Sequence, residues 1–516
     1  MERGSKPTRL TAAVAAVLIV LGAALVAAGC GGSSDSDSSA ANFTGSGYPN
    51  IDKSNTRFVG GPIDLSTVSE LEEVWSLPIE AQSTFGAYAA SPIISKGVIY
   101  SQDLESNVQA IDLESGEVLW EKKYASPDHG PNGVVVEDGR VFGATATAAF
   151  ALDQKTGKEL WSVDLARNSS EGVDMAPGYH DGLVYVSTVP VNVGEFYGGG
   201  GVGILWALDG KSGKKVWSFD TVPKSLWGNP KVNSGGGLWY TPAFDESGSM
   251  YFGTGNPGPI PGTPEHPFGS SRPGPNLYTD SLVKMDAKTG KMDWYYQQTP
   301  HDINDWDLQN PPILAKAGGK EIVIGAGKSG FVVALEKQSG KKLWERAVGK
   351  HNGHDDIGEE TMDGTTTPKT PLELLPGSLG GVISPMSTDG SLVFVPVINH
   401  SLTIQGNQEK SESSELTGEL VALDVGTGKV AWKHGFSSAP FGATTAVNDL
   451  VFVTTYDGTV YAFDAKGGRV VWQTSLPTGS NVGVTVSGDT LLAPAGVPVA
   501  EGQTPVMIAY RLPGSE

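Results

Sequence analysis

The feature that most constrains this chain is a nine-residue segment that recurs seven times. DLESGEVLW begins at Asp112, DQKTGKELW at Asp153, DGKSGKKVW at Asp209, DAKTGKMDW at Asp286, EKQSGKKLW at Glu336, DVGTGKVAW at Asp424 and DAKGGRVVW at Asp464. In each, an alternating strand ends at the acid, a glycine-containing turn with a residue at positive φ reverses the chain, and a second strand carries the tryptophan. Each unit therefore reads as a hairpin. Repeats of this kind stack on one another, the tryptophan of one unit packing on the next. An eighth tryptophan, Trp75 in LEEVW, has no hairpin of its own. A closed ring needs such a strand: the N-terminal segment supplies the missing edge of a last unit built from VGVTVSGDTLLAP and PVMIAYRL. The tryptophans at 75, 120, 161, 217, 294, 344, 432 and 472 are spaced by 40 to 88 residues, and the shorter spacings suit a four-stranded blade. The expected fold is all-β, an eight-bladed β-propeller with Trp-docking repeats over residues 48–516. The two long gaps hold insertions, 254–282 and 346–380, expected to roof one face. The repeated Asp, turn and Trp are scaffold and carry no evidence of catalysis.

Composition agrees and removes several function classes. Glycine supplies 69 of 516 residues, about twice the ordinary share, which points to turn-rich β structure and disfavours long helices. The formal net charge of −21 leaves no basic surface for phosphate neutralisation, so nucleic acid is excluded as a partner. A single cysteine, Cys30, excludes intrachain disulfides and thiolate metal sites.

Arg3, Lys6 and Arg9 precede an apolar run from Leu10 to Ala28, which ends in Val26-Ala27-Ala28-Gly29-Cys30. The stretch resembles a bacterial lipoprotein signal, which implies cleavage before Cys30, lipidation of its thiol and attachment to a bacterial membrane. A retained membrane anchor with an incidental cysteine is the other reading, and both place the remainder outside the cytosol. Residues 31–47, GGSSDSDSSAANFTGSG, read as a flexible tether.

Function is sought where the repeat breaks. The middle of the chain carries VNVGEFYGGGGVG, GGGLWYTPAFDESGSMYFGTGNPGP, NLYTDSLVKMDAKTGKMDWYYQQTPHDINDWD and IVIGAGKSGFVVAL. Together with the Trp-docked repeats, these strings resemble the quinoprotein alcohol dehydrogenases that use pyrroloquinoline quinone (PQQ). The match is most specific in the middle third and weaker at both ends. The resemblance implies a metal on the propeller axis held by Glu195, Asn256 and Asp305. Oxygen donors suit a hard cation, and a carboxylate beside it, Asp305, would take the proton of the substrate hydroxyl as hydride leaves for the quinone. Asp307, two residues later, resembles the version that prefers a lanthanide over calcium, since a further carboxylate favours a trivalent ion. Trp239 matches the residue on which the flat quinone stacks. Lys328 matches a cation near the quinone oxygens. Thr145 or Thr147 corresponds to a hydroxyl that bonds a cofactor carboxylate.

Some family parts have no counterpart. Cys30 is alone, so there is no adjacent cysteine pair; Ala89 stands where a Glu is expected, and GPNGVVV has no base at Asn132 or Gly133. Phe441-Gly442 stands in place of a Trp before Gly-Gly, an Asn expected near GGVISPMS is absent, and His129 lies near the missing base. The metal half of the site is present and the half that holds the cofactor's carboxylates is depleted. There is no CxxCH haem site, so electrons pass to a separate acceptor, a cytochrome or a quinone. The expected function is a lipid-anchored, exported PQQ-dependent dehydrogenase of an alcohol or sugar-like hydroxyl compound. The alternatives are a non-catalytic propeller lipoprotein, similar to the outer-membrane assembly factor that binds partner proteins, and a decayed enzyme retained for ligand binding.

Overall fold

The computed structural model describes residues 52–81, 83, 85–191, 199–406, 409–412 and 416–514. Cys30, the apolar run, the tether and Glu195 lie outside the described residues. Among the described residues eight blades form the ring, each built on four antiparallel strands, and one of them gains a fifth, parallel strand. Numbered along the chain by their innermost strands, the blades start at Ile93–Ser95, Val135–Glu137, Gly178–His180, Ala243–Phe244, Ile313–Ala317, Ser387–Thr388, Thr445–Val447 and Thr485–Ser487. Blade 8 is completed by Thr490–Ala495, Val506–Arg511 and, at its outer edge, the N-terminal strand Glu72–Pro78. Trp75 thus sits opposite Ala509, and the two ends of the chain close the ring between them as the repeat pattern requires.

Tryptophan docking holds neighbouring blades in register. The indole Nε1 of Trp75 donates to the Leu113 carbonyl at 3.1 Å, Trp120 to Gln154 at 3.1 Å, Trp161 to Gly210 at 3.1 Å and Trp217 to Ala287 at 3.1 Å. Trp294 reaches Lys337 at 3.2 Å, Trp344 reaches Val425 at 3.0 Å and Trp432 reaches Ala465 at 2.9 Å. Trp472 instead meets Tyr510 edge-on, with ring centroids 5.9 Å apart. The acceptor in each docked pair belongs to the turn of the next repeat, and the turn glycine lies flat against the ring. At Gly290, φ is 71° and a Cβ would stand 2.7 Å from the Trp217 ring, so both the backbone conformation and the close approach demand glycine. The repeated acid ties the same turn together: Asp286 Oδ1 accepts the Thr289 amide at 2.7 Å. Between blades, alternating strands bury their Val, Ile, Leu and Phe side chains, with Val186, Phe252, Val333 and Phe452 fully enclosed.

Helix is limited to Ile357–Thr361 and a few single 3-10 turns among the described residues. The insertions fold onto each other and onto the loop that follows blade 4. Phe268 from the first and Ile357, Leu372 and Leu374 from the second share one apolar cluster with Ile303 and Trp306. They therefore brace the segment HDINDWD from outside.

One feature has no precedent in the repeat. Residues 53–59 lie across the innermost strands of four consecutive blades. The carbonyls of Lys53, Ser54, Thr56 and Arg57 accept amides from Phe244, Leu314, Thr388 and Ala446, at 2.7, 2.9, 2.9 and 2.9 Å. Phe58–Val59 then adds a short parallel strand beside Thr445–Val447.

Candidate active site

The eight crossovers that carry the chain from the outer edge of one blade to the innermost strand of the next converge on one cavity of about 290 Å³. Ala89 to Ser91, His129 to Pro131, Ala176, Trp239 and Tyr240, Asp305 and Gln309, Leu379 with Ile383 to Pro385, Phe441 and Ala443, and Asn481 to Gly483 each supply part of the wall. Lys328 enters from a hairpin of blade 5, and Arg57 from the segment laid across the inner strands. A concave, mostly apolar cavity with a few charged groups at a propeller axis is the ordinary form of a ligand site.

The loop His301–Gln309 shapes the charged side. Asp302 accepts the amides of Asn304 and Trp306, both at 2.7 Å, which curls the loop and holds Asp305 at φ 68°. A non-glycine residue in this left-handed region costs on the order of 1 kcal/mol and persists where the surroundings over-determine it, as functional loops commonly do. Lys328 Nζ lies 2.9 Å from Asp305 Oδ2 and 2.7 Å from Asp307 Oδ2, so one ammonium bridges both carboxylates. The other oxygen of Asp307 accepts the backbone amide of Asn256 at 2.6 Å, which ties the GTGNP loop to HDINDWD. Asp307 is fully buried and Asn256 nearly so. Trp239 stands on the same side: a Cβ added at Gly255 would lie 3.1 Å from its Nε1 and 3.2 Å from Asp307 Oδ1.

A second layer supports this cluster. Arg272 is fully buried and donates to the Asp302 carbonyl at 2.6 Å; burial lowers its guanidinium to about 10. Burial likewise pushes Asp302 up to about 6, and drives Asp280, which also feels Asp302 and Asp307, well above the carboxylate range. His301 donates through Nδ1 to the Gly274 carbonyl at 3.1 Å, and burial, aided by Arg272, lowers its imidazole to about 4. Behind the carboxylates bridged by Lys328, burial thus disfavours the charged form of every one of these supporting groups, and their hydrogen bonds fix the loop that carries Asp305 and Asp307.

Of the residues singled out in the sequence, Asn256, Asp305, Asp307, Lys328 and Trp239 come together here. Glu195 falls outside the described residues. Thr145 does not join them: its hydroxyl accepts the Ala148 amide at 3.2 Å in the hairpin turn of blade 2, and neither it nor Thr147 lines the cavity. Among the described residues no three His, Cys, Asp or Glu side chains are grouped to hold a metal by themselves. The donors that do meet are two carboxylates and the nearby Asn256, with an ammonium already seated between the carboxylates. This is an all-oxygen set with a demonstrated place for positive charge, and it fits a hard cation. A flat indole beside it, with no side chain at Gly255 to fill the space, fits a planar ring system.

Sequence reading did not anticipate Arg57, Tyr240, Gln309 or Phe85. None sits in a repeat or a matched string except Tyr240, whose position directly after Trp239 was its only signal. Its phenol donates to the Ile383 carbonyl at 3.2 Å. Ala89, in place of an expected acid, and Phe441 both line the cavity, while Asn132 turns away to donate to the Asp103 carbonyl at 2.8 Å.

Comparison with known proteins agrees with this architecture. The family described as "Glucose/ethanol/alcohol dehydrogenase, beta-propeller domain" matches residues 179–374, the stretch that contains the cluster. The family described as "Outer membrane protein assembly factor BamB" matches 104–233 and 379–510, which are mainly repeat. The chain is 29% identical to the quinohemoprotein alcohol dehydrogenase of Comamonas testosteroni, over 84% of this chain and 69% of that protein. It is 29% identical to the quinoprotein alcohol dehydrogenase PedH of Pseudomonas putida, over 82% of this chain and 80% of the relative. A solved structure titled "Europium-containing methanol dehydrogenase" shares the fold with a TM-score of 0.75 at 20% identity, covering 91% of this chain and 98% of its own.

Proposed function

Because the chain belongs to the PQQ-dependent quinoprotein alcohol dehydrogenase family of eight-bladed propellers, we propose that it oxidises an alcohol or sugar-like hydroxyl compound in the axial cavity. The observation that carries this reading is the meeting of Asp305, Asp307 and Lys328 beside Trp239, since a pure scaffold has no use for two bridged carboxylates at a cavity wall. PQQ, when bound, supplies the hydride acceptor and the metal a Lewis acid.

The chain's own residues would do the rest. Asp305, on the wall, takes the proton of the substrate hydroxyl at a carboxylate oxygen. Lys328 holds Asp305 in place and offers positive charge to negative charge that develops nearby. Asn256, Asp305 and Asp307, with Glu195, are the residues that would hold the metal, and Trp239 would carry the planar ring. The second carboxylate, Asp307, favours a trivalent ion, and calcium is the other candidate. Leu379, Ile383, Phe85 and Phe441 form the apolar part of the wall and exclude water from the reacting end.

The reading includes export, attachment to a bacterial membrane through lipidated Cys30, and a separate electron acceptor, a cytochrome or a quinone. The test is reconstitution of the purified protein with PQQ and either calcium or lanthanum, followed by dye reduction over a panel of alcohols and sugars. Turnover that Asp305→Ala abolishes is the expected result. Absence of both turnover and cofactor binding with either metal would overturn the reading and favour a partner-binding propeller, to which the assembly-factor repeats point.

A further inference from the structure

We infer that Arg57 is the group that grips a carboxylate of the cofactor, in the part of the cavity where the blade crossovers supply no arginine. This inference rests on the reading of the cavity as a PQQ site. PQQ is a tricarboxylate, and a cavity that retains it needs fixed positive charge away from the metal. Among the described residues of the wall, Arg57, His129 and Lys328 can carry positive charge. Lys328 is committed to Asp305 and Asp307. His129 lies in the loop DHGPNG, where the expected arginine is missing. Arg57 is the one arginine among the described residues of the wall, and a guanidinium matches a carboxylate in charge and in planar, paired donor geometry.

Its placement is that of a built site. Arg57 is only 4% exposed. Its Nε donates to the Thr444 carbonyl at 2.8 Å, and one Nη reaches Thr445 Oγ1 at 3.1 Å and Ser91 Oγ at 3.3 Å. Those partners come from the entrances of blades 7 and 1, so the guanidinium spans the seam around blade 8. The backbone is anchored as firmly, because the Arg57 carbonyl accepts the Ala446 amide at 2.9 Å. At φ 49° the residue is held in a left-handed conformation. Such a conformation is costly for a residue with a side chain and is over-determined here by its hydrogen bonds. Tyr240 places the two cations on the same cavity: burial raises its phenol, and the charges of Lys328 and Arg57 both oppose that rise. The same cavity thus carries the carboxylates for a metal and, from separate blade entrances, a rigid cation. This pairing of a metal-type donor set with a guanidinium suits a planar ring that chelates and also bears carboxylates.

The test compares PQQ with its trimethyl ester, which keeps the ring and loses the negative charges. The full chain is dialysed against each compound in the presence of calcium or lanthanum, and bound cofactor is read by its absorbance. The wild type should hold PQQ at least about tenfold more tightly than the ester. Arg57→Gln should lose about ten- to a hundredfold in affinity for PQQ and nothing for the ester, and Arg57→Lys should lie between. Because Arg57 also anchors the segment across the blades, Ser91→Asp gives a second arm. It sets a carboxylate beside the intact guanidinium and should cost PQQ a similar factor. Should Arg57→Gln fail to melt cooperatively, Ser91→Asp decides alone. Wild-type affinity for PQQ in Ser91→Asp, or in a folded Arg57→Gln, overturns the assignment. A wild type that binds neither compound with either metal removes the PQQ reading itself and this inference with it.

Discussion

Lys328 holds Asp305 and Asp307 together across a single ammonium, at 2.9 and 2.7 Å. Its removal leaves two carboxylates facing each other at a nearly closed site, and an uncompensated buried charge costs about 3 kcal/mol or more. Lys328→Met should therefore melt well below the wild type without metal. Calcium or lanthanum should raise its melting temperature by more than it raises the wild type's. Scanning fluorimetry with and without metal checks this, and an unchanged melting temperature for the apo variant would contradict the bridging role.

Asp305 reaches the cavity and Asp307 is sealed behind it, so the two acids should behave differently. Asp305→Asn, which removes the proton acceptor and keeps the shape, should lower kcat by about a hundredfold to ten-thousandfold. PQQ should still be retained on dialysis. Dye-linked kinetics beside a cofactor-retention assay would show this. Near-normal turnover in the variant would move the base elsewhere.

Gly290 and Gly182 both have positive φ, at 71° and 81°. Only Gly290 lies under an indole, since nothing stands within 4 Å of a Cβ at Gly182. Alanine at either position pays for the backbone conformation, and alanine at Gly290 must also displace Trp217. Gly290→Ala should be less stable than Gly182→Ala by about 1–3 kcal/mol in urea unfolding. Equal losses would mean that docking contributes nothing beyond turn geometry.

His301 is buried and neutral, with its imidazole lowered to about 4. Between about pH 6.5 and 4 the unfolded chain binds a proton that the folded chain refuses, so this residue makes the fold less stable as pH falls. Asp302, raised to about 6 by burial, acts in the opposite direction, because the folded state keeps its proton longer than the unfolded state. The measurement is therefore a difference between variants. Relative to His301→Gln, the wild type should lose about 3 kcal/mol on acidification through this window. A constant difference across the window would rule out His301 as the titrating group.

The ring was legible because its determinants are local. An acid, a turn glycine and a tryptophan occupy fixed offsets, and each docking contact joins one repeat to the next. Trp75, lacking its own hairpin, revealed the closure by Glu72–Pro78 for the same reason. Asn256, Asp305, Asp307, Lys328 and Trp239 could be picked out because they stand in strings that break the repeat. Arg57 could not. Residues 53–59 show no period, and backbone hydrogen bonds to four separate blades set their path, a relationship between residues hundreds of positions apart. Thr145 shows the opposite case: the resemblance assigned its hydroxyl to a cofactor carboxylate, and that hydroxyl accepts the Ala148 amide within its own hairpin turn.

The circular closure also bears on when this molecule becomes able to hold anything. The wall of the cavity includes Arg57 from the beginning of the chain and Asn481, Val482 and Gly483 from near its end. A nascent polypeptide has neither edge of the last sheet joined and no finished basin between the blades. Loading must wait until the final strand has arrived, so delivery of any small molecule to this protein follows synthesis of the whole circle.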